Sequence, residues 1–350
     1  MQEDVSPDHW RTVAAWLLAC CALVFAMVVV GGVTRLTHSG LSIVEWQPVA
    51  GAVPPLDESA WQAEFDKYKL SPEFRQRNFD MTLEGFKEIY WWEFVHRLLG
   101  RATGLVFLLP FLYFVVRRHV RGMLAWRLAF IFALGGLQGA VGWLMVKSGL
   151  VDNPAVSSVR LAAHLGLALL IYGAILWTAL GLAWEAADRA SARLVRLSRA
   201  FAVLVFAMAL SGALVAGIHA GLAYNTFPLM DGQWIPDEVL LIEPWWKNFV
   251  FNMATVQLDH RALALLVAMG AVLLWALVRR DLTASPRHKA WSTAIVVAVA
   301  LQICAGIATL LARVPVPLAA IHQAGAVIVF TCTIGLARAL HGVNGYNSKA

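Results

Sequence analysis

The sequence predicts an all-α polytopic membrane protein, with eight transmembrane helices forming two tandem, pseudo-symmetric four-helix bundles. Three observations carry that prediction: an apolar excess, eight continuous apolar runs, and a repeat relating the first four runs to the last four. The 350 residues are 59% hydrophobic and 14% charged, whereas a soluble domain is about 45–50% apolar and about 25% charged. A spanning helix needs roughly 20 apolar residues. Runs of that length lie near 13–33, 92–116, 124–146, 161–183, 201–223, 255–278, 291–312 and 317–337. They are continuously apolar rather than alternating, which argues against membrane strands.

The net charge of +6 is no mark of a nucleic-acid partner, because the basic residues sit in short connections. Arg117, Arg118, Arg121 and Arg127 follow the second span. Arg189, Arg193, Arg196 and Arg199 follow the fourth, and Arg279, Arg280, Arg287 and Lys289 the sixth. The opposite face has only Lys147, Arg160, Lys247 and Arg313 in its short loops. The positive-inside rule therefore places both termini in the cytoplasm of a bacterial inner membrane. The N-terminal tail sets Glu3, Asp4 and Asp8 against Arg11 and lacks the basic start of a signal peptide, so the first span is expected to be retained. Cys20, Cys21, Cys304 and Cys332 all fall inside spans and read as small buried apolar residues, not a disulfide or CxxC framework.

Residues 34–90 form the longest loop, on the outer face, with short helices expected over 57–69 and 72–78. Its tryptophans and prolines fit a lid over the helix ends, or a passive connection. The first span ends FAMVVVGGVTRLTHSGL (Phe25–Leu41) and the fifth FAMALSGALVAGIHAGL (Phe206–Leu222). This superposes Gly31 on Gly212 and His38 on His219. EFVHR ending at Arg97 likewise matches QLDHR ending at Arg261, and Gln138 matches Gln302. LAAHLG from Leu161 matches LAAIHQAG from Leu318. Each unit has an even number of spans, so the repeats are parallel. We divide the chain at 1–190 and 191–350, joined through Trp184–Arg199.

The stretch YWWEFVHRLLGR, Tyr90–Arg101, opens the second span. Trp91 and Trp92 mark a membrane interface. Glu93 and His96 follow at i and i+3, on one face. Ionisable groups in an apolar span mark function by default. His96, His164, His260 and His322 fall on spans two, four, six and eight, each four to six residues inside the outer end, about 6–9 Å deep. Two histidines facing each other in a bundle are what axial haem ligation needs. Arg97, Arg101, Arg160 and Arg261 lie near that level and could pair with haem propionates. A zinc site lacks a third ligand at this depth. Isolated buried histidines and a proton relay remain as other readings. His9, His119, His288 and His341 are expected to be solvated, while His38 and His219 could bond a propionate or cap the loop start.

The halves differ at one telling position. Glu93 matches Gln257, so the first half keeps a carboxylate one turn from its histidine and the second an amide. A carboxylate can move a proton or stabilise developing charge. This points to a reactive site in the first half and an electron-carrying haem in the second.

These residues carry a family resemblance. The E-x-x-H-R, D-H-R and I-H-Q motifs, together with G-G-x-T-R-L-T-x-S-G-L-S followed by E-W-x-P (Glu45–Pro48), resemble haem A synthases over nearly the whole chain. One branch of that family carries cysteine pairs in its outer loops. This chain resembles the other, cysteine-free branch of proteobacteria and mitochondria. The resemblance implies oxidation of a ring methyl of haem O to a formyl group by successive hydroxylations, making haem A for terminal oxidases. It further implies His260 and His322 as axial ligands of a haem b cofactor (the haem iron being the metal), His96 and His164 as ligands of the haem O substrate, and Glu93 as the catalytic acid. With both axial positions filled, oxygen would come from water steered by Glu93. The pathway implies haem O synthase upstream, oxidase assembly factors downstream and an unidentified electron acceptor. A dihaem b-type cytochrome that only passes electrons, or a tandem-repeat transporter, would share the same spans. The transporter reading requires broken helices and a midplane polar site.

Overall fold

A computed structural model describes residues 7–47, 50–150, 154, 156–184 and 190–342. The helices in chain order are α1 (Pro7–Leu36), α2 (Glu58–Lys69), α3 (Pro72–Gln76), α4 (Leu83–Val116), α5 (Gly122–Gly149), α6 (Ser158–Ala183), α7 (Ala192–Gly217), α8 (Asn248–Phe251), α9 (Met253–Arg280), α10 (Pro286–Leu311) and α11 (Val316–His341). Eight of them, α1, α4–α7 and α9–α11, are long and apolar enough to cross a membrane. No strand occurs among the described residues.

Several spans begin earlier than their apolar runs, α4 and α7 most of all. Thr82 caps α4 by accepting a hydrogen bond from Gly85, and the amphipathic turns that follow pack on the outer loop. Ser191 caps α7 by accepting from Leu194, which draws the basic segment Ala192–Arg199 into the helix. Hydropathy alone does not register such polar starts. Pro110 sits inside α4 without ending it.

The packing repeats with the sequence. In the first half α1 lies against α4 and α6, and α5 against α4 and α6. In the second, α7 lies against α9 and α11, and α10 against α9 and α11. The halves meet where α1 touches α11, α6 touches α7, and α6 touches α11. Each of these contacts is its own or the other's counterpart under a twofold exchange, so a pseudo-twofold axis passes between α6 and α11. Tyr172 and Thr331 share a hydrogen bond there at 2.7 Å.

The tightest core lies at one end of the bundle. Leu17 and Cys20 of α1, Leu128 of α5, Ile175 and Ala179 of α6, Val278 of α9 and Leu336 and Leu340 of α11 are essentially inaccessible. All lie toward the helix ends remote from the four span histidines. Large apolar side chains such as Leu109, Phe130, Leu144 and Leu273 are exposed on the outside of the bundle, as a lipid-facing surface requires.

Residues 34–90 pack rather than float. Trp61, Phe65 and Tyr68 of α2 bury themselves against Phe86, Tyr90 and Phe94 of α4. Asp57 and Ser71 cap α2 and α3, so both short helices fall where the sequence places them. Pro48 of the E-W-x-P motif and Arg189 lie outside the described residues.

Candidate functional site

Each span histidine lies over a glycine of the span before it in sequence. A Cβ built on Gly306 would come within 2.7 Å of His322 Cε1, and one on Gly31 within 2.8 Å of His96 Cε1. On Gly142 it would come within 2.9 Å of His164 Cε1, and on Gly212 within 3.3 Å of His260 Cε1. Carbon atoms prefer about 3.5–4.0 Å, so at Gly31, Gly142 and Gly306 a side chain would force the ring to move, while the Gly212 seat is tight but less exacting. The odd spans α1, α5, α7 and α10 thus supply seats, and the even spans α4, α6, α9 and α11 supply imidazoles. His96 and His164 lie within electrostatic reach of each other, as do His260 and His322.

The imidazoles differ in what holds them. Ser211 Oγ shares a 2.8 Å hydrogen bond with His260 Nδ1. The Nδ1 atoms of His96, His164 and His322 are buried without a partner. Gln138 and Gln302, matched in the repeat, both tie histidine helices, and Gln138 Nε2 also lies 3.3 Å from the ring Nε2 of His164. Their side-chain amides donate to the backbone carbonyls of His164 (3.0 Å) and His322 (2.8 Å). They tie α5 to α6 and α10 to α11 at the level of the rings.

Glu93 is 2% exposed. Its Oε1 accepts from Arg97 Nη2 (2.7 Å) and Nε (3.1 Å), and its Oε2 from Ser42 Oγ and Ile43 N–H, both at 2.8 Å. Arg97 also donates to the carbonyls of Ile43 and Glu45, and Arg101 to that of Gln47. The second half builds the same clamp without charge on the acceptor. Gln257 Oε1 accepts from Arg261 and its amide donates to Ala220 O. Arg261 donates to the carbonyls of Tyr224, Thr226, Pro228 and Leu229. Arg160 donates to Leu144 O. The arginines expected to meet propionates are therefore engaged with backbone carbonyls.

Other expectations are corrected. His288 is not solvated: it is fully buried, completes a capping box with Ser285 at the start of α10, and its Nε2 bonds Ala339 O. His9 and His119 stack at 4.1 Å between ring centroids, and both are partly buried. His341 is exposed and bonds Arg199. Cys20 and Cys21 are buried, but Cys332 is only partly so and Cys304 is exposed. The chain is thus not free of cysteine, although all four thiols lie in spans. Among the described residues no three His, Cys, Asp or Glu side chains gather as a metal set.

The donor set fits haem. Imidazole pairs, glycine seats that a Cβ would fill, and buried ring nitrogens together describe a donor set suited to haem iron. His96 and His164 would hold one such group, and His260 and His322 another. The glycine seats under His164 and His322 carry no mark in the second and fourth repeat motifs. The four-residue step from Gln138 to Gly142 and from Gln302 to Gly306 is the signal that could have found them.

Comparison with known proteins bears on the whole chain. The chain is 53% identical over 328 residues to a protein of Nitrosospira multiformis named heme A synthase, covering 93% of this chain and 92% of that one. It is 51% identical over 328 residues to the heme A synthase of Parvibaculum lavamentivorans, covering 94% of each. It is 49% identical over 342 residues to that of Nitrosomonas eutropha, covering 96% of each. The family model for the cytochrome oxidase assembly protein COX15-CtaA matches residues 14–334. The eight spans and paired histidines thus belong to a member of the COX15-CtaA cytochrome oxidase assembly family.

Proposed function

We propose that this chain is a haem A synthase, a membrane oxidoreductase that acts on haem O to make haem A. The observation that carries the reading is the fourfold arrangement of an imidazole over a glycine seat, paired within each half. In this reading residues 1–190 hold the substrate and 191–350 the cofactor. His96 and His164 would hold the iron of haem O. His260 and His322 hold the iron of haem b. Bound haem b supplies one-electron oxidation and reduction at its iron.

Glu93 is the catalytic carboxylate of the first half, and the second half supplies the argument. Gln257 shows that an amide suffices to clamp the loop and orient the arginine. A charge kept at Glu93 therefore serves something beyond the clamp, and its place one turn from His96 offers it to the substrate. Arg97 orients that carboxylate by two hydrogen bonds. The loop Ser42–Glu45, clamped above it, keeps the carboxylate buried.

The cysteine-poor outer loops favour the proteobacterial and mitochondrial branch. The arginine-rich connections favour cytoplasmic termini, with the haem sites toward the periplasm of a bacterial inner membrane. Haem O synthase, oxidase assembly factors and an electron acceptor are the partners that follow from the reaction. The test is to purify the protein in detergent, extract its haems and identify them by mass. Haem b with haem O or haem A is expected. Haem b alone, at two per chain and unchanged by added haem O, would replace the synthase with an electron-transfer cytochrome.

A further inference from the structure

The arginines expected to meet propionates all donate to backbone carbonyls, although Arg261 keeps one buried nitrogen, Nε, without a partner; the side chain of Arg35 makes no such bond among the described residues. Its Nη2 is buried without a hydrogen-bond partner, and no ion pair reaches it among the described residues. Arg35 follows Gly31, the seat of His96, by four residues, and His38 follows by seven. That spacing puts Gly31 and Arg35 on one side of α1, and His38 follows in the turn just past the helix end. Arg35 lies ~6 Å further out than Gly31 at 1.5 Å per residue. A flat ring system ligated by His96 would present its outer edge at this level.

The second half contributes as well. His219, the repeat counterpart of His38, stacks on it with ring centroids 6.0 Å apart and planes 15° from parallel. Repeat-related residues that touch each other lie on the pseudo-twofold axis. Both end their helices in the left-handed region, at φ 54° and 58°, so the same strained turn presents both rings. Arg35 and Arg77 are each within electrostatic reach of both imidazoles. Arg77 comes from the outer loop and is exposed. Two cations and two imidazoles from three parts of the chain thus converge on the axis.

We propose that Arg35, His38, His219 and Arg77 form a carboxylate-binding site on the pseudo-twofold axis, and that it takes the carboxylate side chains of the porphyrin held by the first half. The site rests on the haem reading above. The guanidinium of Arg35 donates to a carboxylate, and the stacked imidazoles and Arg77 close around it. Arg35 has Ala216 as its repeat counterpart, so the anchor is one-sided and belongs to the substrate half.

The probes are iron protoporphyrin IX and its dimethyl ester, which lacks free carboxylates. Each is titrated into the purified protein and followed by its visible spectrum. The wild type is expected to bind the free acid about tenfold or more tightly than the ester, the size of one charge-assisted hydrogen bond. Arg35→Gln should bring that ratio close to one, and Arg35→Lys should restore part of it. Arg77→Gln, a change to an exposed side chain that leaves the bundle intact, should lower the ratio by a few-fold. An unchanged ratio in both glutamine variants overturns the site while leaving the haem reading standing. Failure of the wild type to bind either form overturns both.

Discussion

The two halves share a scaffold and differ at one imidazole, His260, and at one buried carboxylate, Glu93. In both, an arginine four residues beyond an acid or amide clamps the preceding loop to the span, and a glutamine ties the seat helix to the histidine helix. The second half adds Ser211 behind His260, where the first half has Val30. It also replaces the buried carboxylate Glu93 with Gln257. The hydrogen bond donated by His260 Nδ1–H to Ser211 Oγ, whose own hydrogen goes to Met208 O, fixes the imidazole and raises its basicity, which suits a permanent ligand. A ring without that bond, beside a charge and under a large packed loop, suits a guest that must arrive and leave. The two halves thus share their clamps and seats and differ at a few polar positions.

The comparison breaks most sharply at Glu93. Glu93→Gln gives the first half the amide of the second and should preserve fold and haem content. Turnover of haem O should fall by about 10²–10⁴, the usual contribution of a positioned proton-transfer group. Retained turnover with normal haem content would make Glu93 a clamp and nothing more.

The glycine seats come next. Gly306→Ala places a methyl 2.7 Å from His322 Cε1, whereas Gly212→Ala leaves 3.3 Å to His260. Overpacking costs about 1–3 kcal/mol, while alanine in a helix returns about 1 kcal/mol. Gly306→Ala should therefore lose bound haem b and the spectrum of two axial imidazoles, and Gly212→Ala should keep most of both. Equal losses at the two seats would show that the glycines act through helix packing in general.

Ser211→Val, which copies the first half, should have a smaller effect. One net hydrogen bond is about 0.5–1.5 kcal/mol, so release of haem b to a haem-accepting protein should quicken by a few-fold. The midpoint potential should shift with it, because the imidazole loses basicity. A variant that released haem at the wild-type rate would remove Ser211 from the account of why the halves differ.

Much of this was legible in the sequence, for physical reasons. Apolar runs report spans because lipid tolerates little else, and ionisable residues stand out within them. His96, His164, His260 and His322 could be found on that ground, and so could the Glu93–Gln257 difference. The clamps could not. Arg97 and Arg261 bond backbone carbonyls, which every residue carries and no motif announces. The seats were half legible: Gly31 and Gly212 align in the repeat, but a contact between helices leaves no trace in either helix alone. The burial of His288 was hidden by its basic neighbours Arg287 and Lys289, which look like a solvated loop while the imidazole caps α10.

The smallest predicted effect distinguishes the loops of the two halves. Glu73 of α3 is 2% exposed. Burial first, and then the nearby charge of Glu93, push its carboxyl up to about 7, although Tyr68 donates to it and Arg77 lies close by. A carboxyl whose folded pKa is raised binds more protons folded than unfolded between its ordinary value of 4.5 and about 7. Stability of the loop packing is then fullest below the lower value and declines as pH rises through the higher one. Amide exchange across α2 and α3 should therefore quicken between pH 5 and pH 8 beyond the intrinsic increase with pH, while the loop clamped by Arg261 follows the intrinsic rate. Glu73→Gln should abolish the excess. An excess that persisted in that variant would assign the pH response to another group, and one that appeared equally in both loops would remove this difference between the halves.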